Sequence, residues 1–142
     1  MAILLFAYGT LQVGHEAAHR LAVVGVRPGT ITGFRLYDTG LGWPFAAPGD
    51  EGDVVHGQIL TLAGDGASPS GVEAAFARAD EWEGYDPADP DGSPFWRSAT
   101  EAVTPSGQRL AVHVYLSSEE RLRRHYAGVR VTRLAHGAWT PG

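Results

Sequence analysis

Arg97-Ser-Ala-Thr-Glu-Ala-Val103, Pro105-Ser-Gly107 and Arg109-Leu-Ala-Val-His-Val-Tyr-Leu116 follow one another closely in the chain, and the fold turns on how they are read. In the last of them Leu110, Val112, Val114 and Leu116 alternate with Ala111, His113 and Tyr115. A period of two with one apolar face is the mark of a β-strand. Pro105-Ser-Gly107 supplies the turn, so the stretch predicts a hairpin. Residues 2–8 add an apolar run, closed by Gly9, that reads as a strand buried on both faces.

Further strands are expected over Gly33–Asp38 and Asp53–Leu62, and a last one over Val129–Leu134. Gly40–Gly52, with Pro44 and Pro48, and Ala63–Pro69 read as loops. Gly14–Val24 reads as a short helix stopped by Gly25 and Pro28. Ser70 and Glu73 form a capping box that opens a second helix, and Gly84 ends it. Asp86–Pro94 is a polar loop with several acidic residues. Ser117 and Glu120 make another capping box, for a third helix ending near Gly128. Neither a repeat nor an interdomain linker is visible, so residues 1–142 are read as one domain. The expected class is α+β, a small, mostly antiparallel β-barrel or curved sheet flanked by short helices.

Composition narrows the chemistry. The chain has 142 residues, enough to bury a core without staples. It has no cysteine, and its Lys+Arg total of 11 is arginine throughout. Disulfides, thiolate catalysis, Schiff-base lysines and a P-loop lysine are therefore excluded. A net charge of -5 argues against a nucleic-acid partner. The basic run from Arg121 to Arg133 reads as a solvated helix face, with a local anion site as the alternative. The opening residues lack the features of a signal peptide and are too short a run to span a bilayer. The expectation is a cytoplasmic protein without a membrane partner.

The helix before Gly84 carries the chief candidate for chemistry. At about 100° per residue, Val72, Phe76, Ala79 and Glu83 share one stripe, whereas Glu81 falls on the opposite face. A carboxylate on an apolar stripe has its pKa raised by burial. Such a group can take and return a proton near neutral pH. The same position is also explained by a helix end frayed into solvent.

A set of motifs in order gives this residue a context. Tyr8-Gly9-Thr10-Leu11 follows the first strand, then comes Gly14, and Asp80-Glu81-Trp82-Glu83-Gly84-Tyr85 ends the helix. Phe95-Trp96-Arg97 and Ala111-Val-His-Val-Tyr115 follow on the hairpin. Over about residues 3–116 this series resembles the γ-glutamylcyclotransferase-like superfamily, in particular the γ-glutamylamine cyclotransferases and their avirulence-induced relatives. Those proteins read YGTL, D-x-x-E-G-[YV] and Y-x-R at these places. The resemblance implies a small barrel, no cofactor, and a small γ-glutamyl substrate. It implies that the α-amine of that substrate attacks its own γ-carbonyl, releasing 5-oxoproline and a free amine. Glu83 would be the general acid/base, and the amides of Gly9, Thr10 and Leu11 would hold the glutamyl group and the oxyanion. Tyr8, Arg97 and Tyr115 are secondary substrate-binding candidates, each equally explained as a structural hydrogen-bonder. Phe95 departs from the Y-x-R pattern and removes a hydroxyl. The GTL form of the loop favours an amine leaving group, and the acidic loop Asp86–Asp91 suits a cationic one.

Two other readings stand beside this one. His15-Glu16-Ala-Ala-His19 is an H-E-x-x-H sequence, which on a helix would let His15 and His19 chelate zinc with Glu16 as base. Ala22 and Gly25 break the metzincin continuation, although Glu73 or Glu83 could serve as a distant third ligand. The histidines also face away from Ala17, Leu21 and Val24, the expected core side. The remaining alternative is a non-enzymatic binding module on the same barrel.

Overall fold

The structure is a computed structural model and describes residues 2–12, 14 and 21–140. The described residues form β1 (Ile3–Ala7), β2 (Val23–Thr32), β3 (Phe34–Asp38), β4 (Pro44–Pro48), β5 (Val54–Leu62), α1 (Pro69–Glu83), β6 (Trp96–Val103), β7 (Arg109–Leu116), α2 (Glu119–His125) and β8 (Thr132–Arg133). The α+β class and the mostly antiparallel barrel are those expected from the sequence. Five strands close in the order β1-β5-β2-β6-β7, and β4-β3-β8 form a second sheet. All barrel neighbours are antiparallel except β1 and β7, which meet in parallel at Leu5 and His113. The seam between β2 and β6 is short, with Thr30 opposite Val103 and Ile31 opposite Ala102.

Every residue of β1 is buried. Its alternation feeds two apolar clusters: Ile3, Leu5 and Ala7 pack with Phe76, Ala79 and Tyr115, while Leu4, Phe6 and Tyr8 pack with Ile59, Val112 and Val114. β1 is thus the shared wall of both clusters, and its C-terminal end leads into Tyr8-Gly9-Thr10-Leu11.

Two strands differ from expectation because Pro and Gly, read as breakers, sit inside them. The expected helix over Gly14–Val24 lies mostly outside the described residues, but its last two residues belong to β2. Gly25 falls at a register irregularity against β5, and Pro28 pairs with Gln58 before the seam with β6 begins. A missing N–H is tolerated at such an edge. The loop expected over Gly40–Gly52 contains β4, bounded by Pro44 and Pro48 at the edge of its sheet. Its open side is engaged by isolated bonds. The Ala46 amide donates to the Tyr8 hydroxyl at 3.2 Å, and the Ala46 carbonyl accepts from the Ser117 amide at 3.0 Å.

Both described helices keep their place and change their caps. Ser68, not Ser70, caps α1, accepting from the Gly71 amide at 3.3 Å, because Pro69 occupies the first helical position, where no N–H is required. Glu73 is thereby freed from capping. Ser118, one residue later than expected, caps α2, and the helix stops at extended Tyr126 rather than near Gly128. The Ser117 hydroxyl instead donates to the Pro94 carbonyl at 2.5 Å. β8 is shorter than the expected Val129–Leu134 and pairs with Tyr37 and Asp38. No helix among the described residues is long and apolar enough to cross a membrane.

Candidate active site

The ends of several elements converge on a cavity of about 340 Å³. Phe6, Ala7, Tyr8, Gly9, Thr10 and Leu11 line it from β1 and the turn after it. Leu41, Trp43 and Pro44 come from the entry to β4, Trp82 and Glu83 from the end of α1, Phe95 from before β6, Tyr115 from β7 and Tyr126 from the end of α2.

Glu83 is the last residue of α1. Gly84 follows in the left-handed region, with φ 74°, and its amide returns to the Asp80 and Glu81 carbonyls. A side chain there would be strained by that φ, and its Cβ would stand 2.8 Å from Pro94. The sharp stop leaves Glu83 on the cavity wall, while Glu81 is exposed. The Glu83 side chain keeps partial access through the cavity, yet the surrounding atoms are dense. Burial pushes its pKa up to about 8. Among the described residues no hydrogen bond or cation counters that burial. The carboxylate is felt by the surrounding phenols: burial first, and Glu83 next, raise Tyr8 and Tyr126 above the usual tyrosine range.

The turn after β1 brings a second kind of group. The Gln12 amide donates to the Gly9 carbonyl at 3.0 Å. No described residue accepts a hydrogen bond from the amides of Gly9, Thr10 or Leu11. The Thr10 hydroxyl accepts from the Trp82 indole N–H at 3.1 Å, tying this turn to the residue before Glu83. Gly9 has little room: a Cβ would stand 3.0 Å from the Pro44 ring.

Tyr8 and Tyr115 line the cavity, but their hydroxyls are committed to the frame. The Tyr8 hydroxyl donates to the Tyr115 carbonyl at 2.6 Å and accepts from Ala46. The Tyr115 hydroxyl donates to Asp80 Oδ1 at 2.5 Å. Arg97 does not line the cavity. Its guanidinium, with a side chain 6% exposed, donates to Asp80 Oδ1 at 3.0 Å and to both Glu73 oxygens at 3.0 and 2.9 Å, stacked over the Phe76 ring. Sequence reasoning passed over Asp80 as a site-building residue. The available signal was its position four residues after Phe76 and three before Glu83, on the apolar side of α1.

The carboxylates of the acidic loop are turned to local tasks. Asp86 accepts from the Ala88 amide at 2.9 Å, Asp89 accepts from the Gly92 amide at 3.2 Å, and Asp91 faces Arg121 at 3.7 Å. None of them lines the cavity. His15, Glu16 and His19 lie outside the described residues. Among those that are described, no group of three or more His, Asp or Glu is placed to hold a metal ion. Glu73, named above as a distant ligand, is paired with Arg97.

The arrangement sets a carboxyl whose pKa is raised by burial beside the turn Gly9–Leu11 in a small cavity of mixed polar and apolar lining. The fold recurs in solved structures. An AIG2-like protein from Mus musculus superposes with a TM-score of 0.62 at 19% identity, covering 98% of this chain and 88% of that one. YkqA from Bacillus subtilis gives 0.61 at 18% identity, covering 98% of this chain and 40% of that one. The uropathogenic E. coli protein c4763 gives 0.58 at 21% identity, covering 98% and 93%. No functionally curated protein matches the chain. A family model described as γ-glutamyl cyclotransferase, AIG2-like, matches residues 5–141, and the chain belongs to that family.

Proposed function

We propose that this protein is a cyclotransferase releasing 5-oxoproline and a free amine from a γ-glutamyl amine. The observation that carries the reading is Glu83, held at about pKa 8 by burial on the wall of a cavity it shares with Gly9, Thr10 and Leu11. In the ionised state Glu83 removes a proton from the substrate's α-ammonium. The freed amine attacks the γ-carbonyl, forming the ring C–N bond, and the carbonyl electrons move to oxygen. The amides of the turn stabilise that oxyanion. Protonated Glu83 then gives its proton to the leaving nitrogen as the old amide bond breaks and the carbonyl re-forms, and the ring nitrogen sheds its second proton, which the released amine carries away as an ammonium. Ring closure is intramolecular, so the cavity mainly selects the reactive conformer. No lysine or cysteine exists in the chain to offer a covalent route. The reading goes with a cytoplasmic protein acting on a small molecule.

A set of γ-glutamyl conjugates incubated with the protein and analysed by mass spectrometry tests the proposal. The expected result is 5-oxoproline with the matching free amine, while α-linked glutamyl peptides stay intact. A folded sample that releases 5-oxoproline from none of the conjugates overturns it.

A further inference from the structure

The cavity carries two chemistries, and the cyclisation uses one of them. Glu83 and the turn amides serve the glutamyl end. Leu41, Trp43, Phe95 and Tyr126 have no part in the proton transfers, yet they contribute a continuous apolar wall. The rings of that wall are already packed on one another. Trp43 meets Tyr126 edge-on with centroids 5.1 Å apart at 68°, and Phe95 tilted with centroids 5.9 Å apart at 56°. They come from the entry to β4, the entry to β6 and the end of α2, so the wall is assembled by tertiary contacts and stands ready before a ligand arrives. Tyr126 is left 38% exposed, as one of few large apolar side chains so placed among the described residues.

Resting on the cyclotransferase reading, we propose that the leaving group is a small amine whose substituent is an uncharged aromatic ring, packed against Trp43, Phe95 and Tyr126. An aromatic ring adds edge or offset contacts to these rings beyond the area it buries. A cationic leaving group, such as a polyamine, fits the lining poorly. The only carboxylate among the described lining residues is Glu83, and an ammonium paired there would hold the base ionised and occupied. The carboxylates of the acidic loop that would favour such a cation do not line the cavity. A leaving amino acid would bring its carboxylate towards Glu83, and no described lining residue is a cation. A volume of about 340 Å³ is at the small end for ligand pockets. It suits a glutamyl group with one ring better than a glutamyl group on an oligosaccharide amine.

The test compares γ-glutamyl-benzylamide, γ-glutamyl-ethylamide and Nε-γ-glutamyl-lysine as substrates, following 5-oxoproline. We expect kcat/KM for the benzylamide to exceed that for each of the others by about tenfold, the scale of an aromatic contact plus its burial. Trp43→Ala lowers the benzyl-to-ethyl preference about tenfold, mostly through KM, and Trp43→Phe retains most of it. Tyr126→Ala, at a partly exposed position outside α2, reads the same preference should Trp43→Ala fail to fold. Turnover of all three substrates with no benzyl preference, or with the lysine conjugate favoured, overturns this inference and leaves the cyclotransferase reading intact. Release of 5-oxoproline from none of them overturns both.

Discussion

Asp80 and Tyr115 are joined by a 2.5 Å hydrogen bond that fixes one wall of the cavity to the helix carrying Glu83. Asp80 sits three residues before Glu83 on α1, and Arg97 balances its charge from β6 at 3.0 Å. The same Tyr115 accepts from Tyr8 through its carbonyl, so the bond extends to the end of β1. Removing one member of a buried ion pair leaves the other uncompensated. Asp80→Asn is therefore expected to cost about 3 kcal/mol of stability, measured by urea denaturation, because Glu73, more than half exposed, replaces the buried partner of Arg97 only in part. Tyr115→Phe is expected to cost about 2 kcal/mol, because it removes one hydrogen bond to a charged group and keeps the ring.

Glu83→Gln separates chemistry from packing. Gln keeps the shape but cannot carry the proton, so 5-oxoproline release is expected to fall by about two to four decades. Stability should hold or rise, because a carboxylate in a poorly solvated place is replaced by a neutral group. Glu81→Gln is the control, since Glu81 is exposed. Retention of most of the wild-type kcat in Glu83→Gln would place the acid/base elsewhere.

The raised pKa of Glu83 fixes the sign of two pH dependences. The folded carboxyl titrates at about 8 and its ordinary value is 4.5. Between those values the folded state holds more protons than the unfolded state, so this group lowers stability as pH rises. The penalty begins near the unfolded pKa and is complete above the folded one. Denaturation midpoints at pH 5 and pH 9 should therefore show Glu83→Gln gaining on wild type at the higher pH. As a base Glu83 must be ionised, so kcat/KM should climb with pH and level off above about 8. A flat profile across this range would contradict the assignment.

Metal dependence distinguishes the cyclotransferase from the hydrolase reading of His15-Glu16-Ala-Ala-His19. The protein is expected to release 5-oxoproline undiminished after treatment with a chelator, and His15→Ala is expected to keep wild-type turnover. Stoichiometric zinc by elemental analysis, together with loss of activity on chelation, would favour the hydrolase.

The sequence by itself determined the elements whose pattern is local. The apolar run of β1, the alternation of β7 and the apolar stripe of α1 are periodicities, and a periodicity is written in neighbouring residues. It also placed Glu83 on the inner side of α1 and Glu81 on the outer, because helical geometry fixes that from spacing alone. Only the tertiary structure decided what depends on residues far apart in the chain. β2 and β4 were hidden by Gly25, Pro28, Pro44 and Pro48, which look like breakers until Gly25 is seen at a register irregularity and the missing N–H of the prolines at an edge. Asp80 looked like one member of an acidic run, and its burial depends on Arg97 arriving from β6. Spacing leaves Arg97 equally a substrate contact or a structural hydrogen-bonder; its guanidinium pairs with Asp80 and is not part of the cavity lining. The aromatic wall joins Trp43, Phe95 and Tyr126 from three separate elements, and no local rule links them. Periodicity reports which face of an element is buried; the partner that buries it is chosen by the fold.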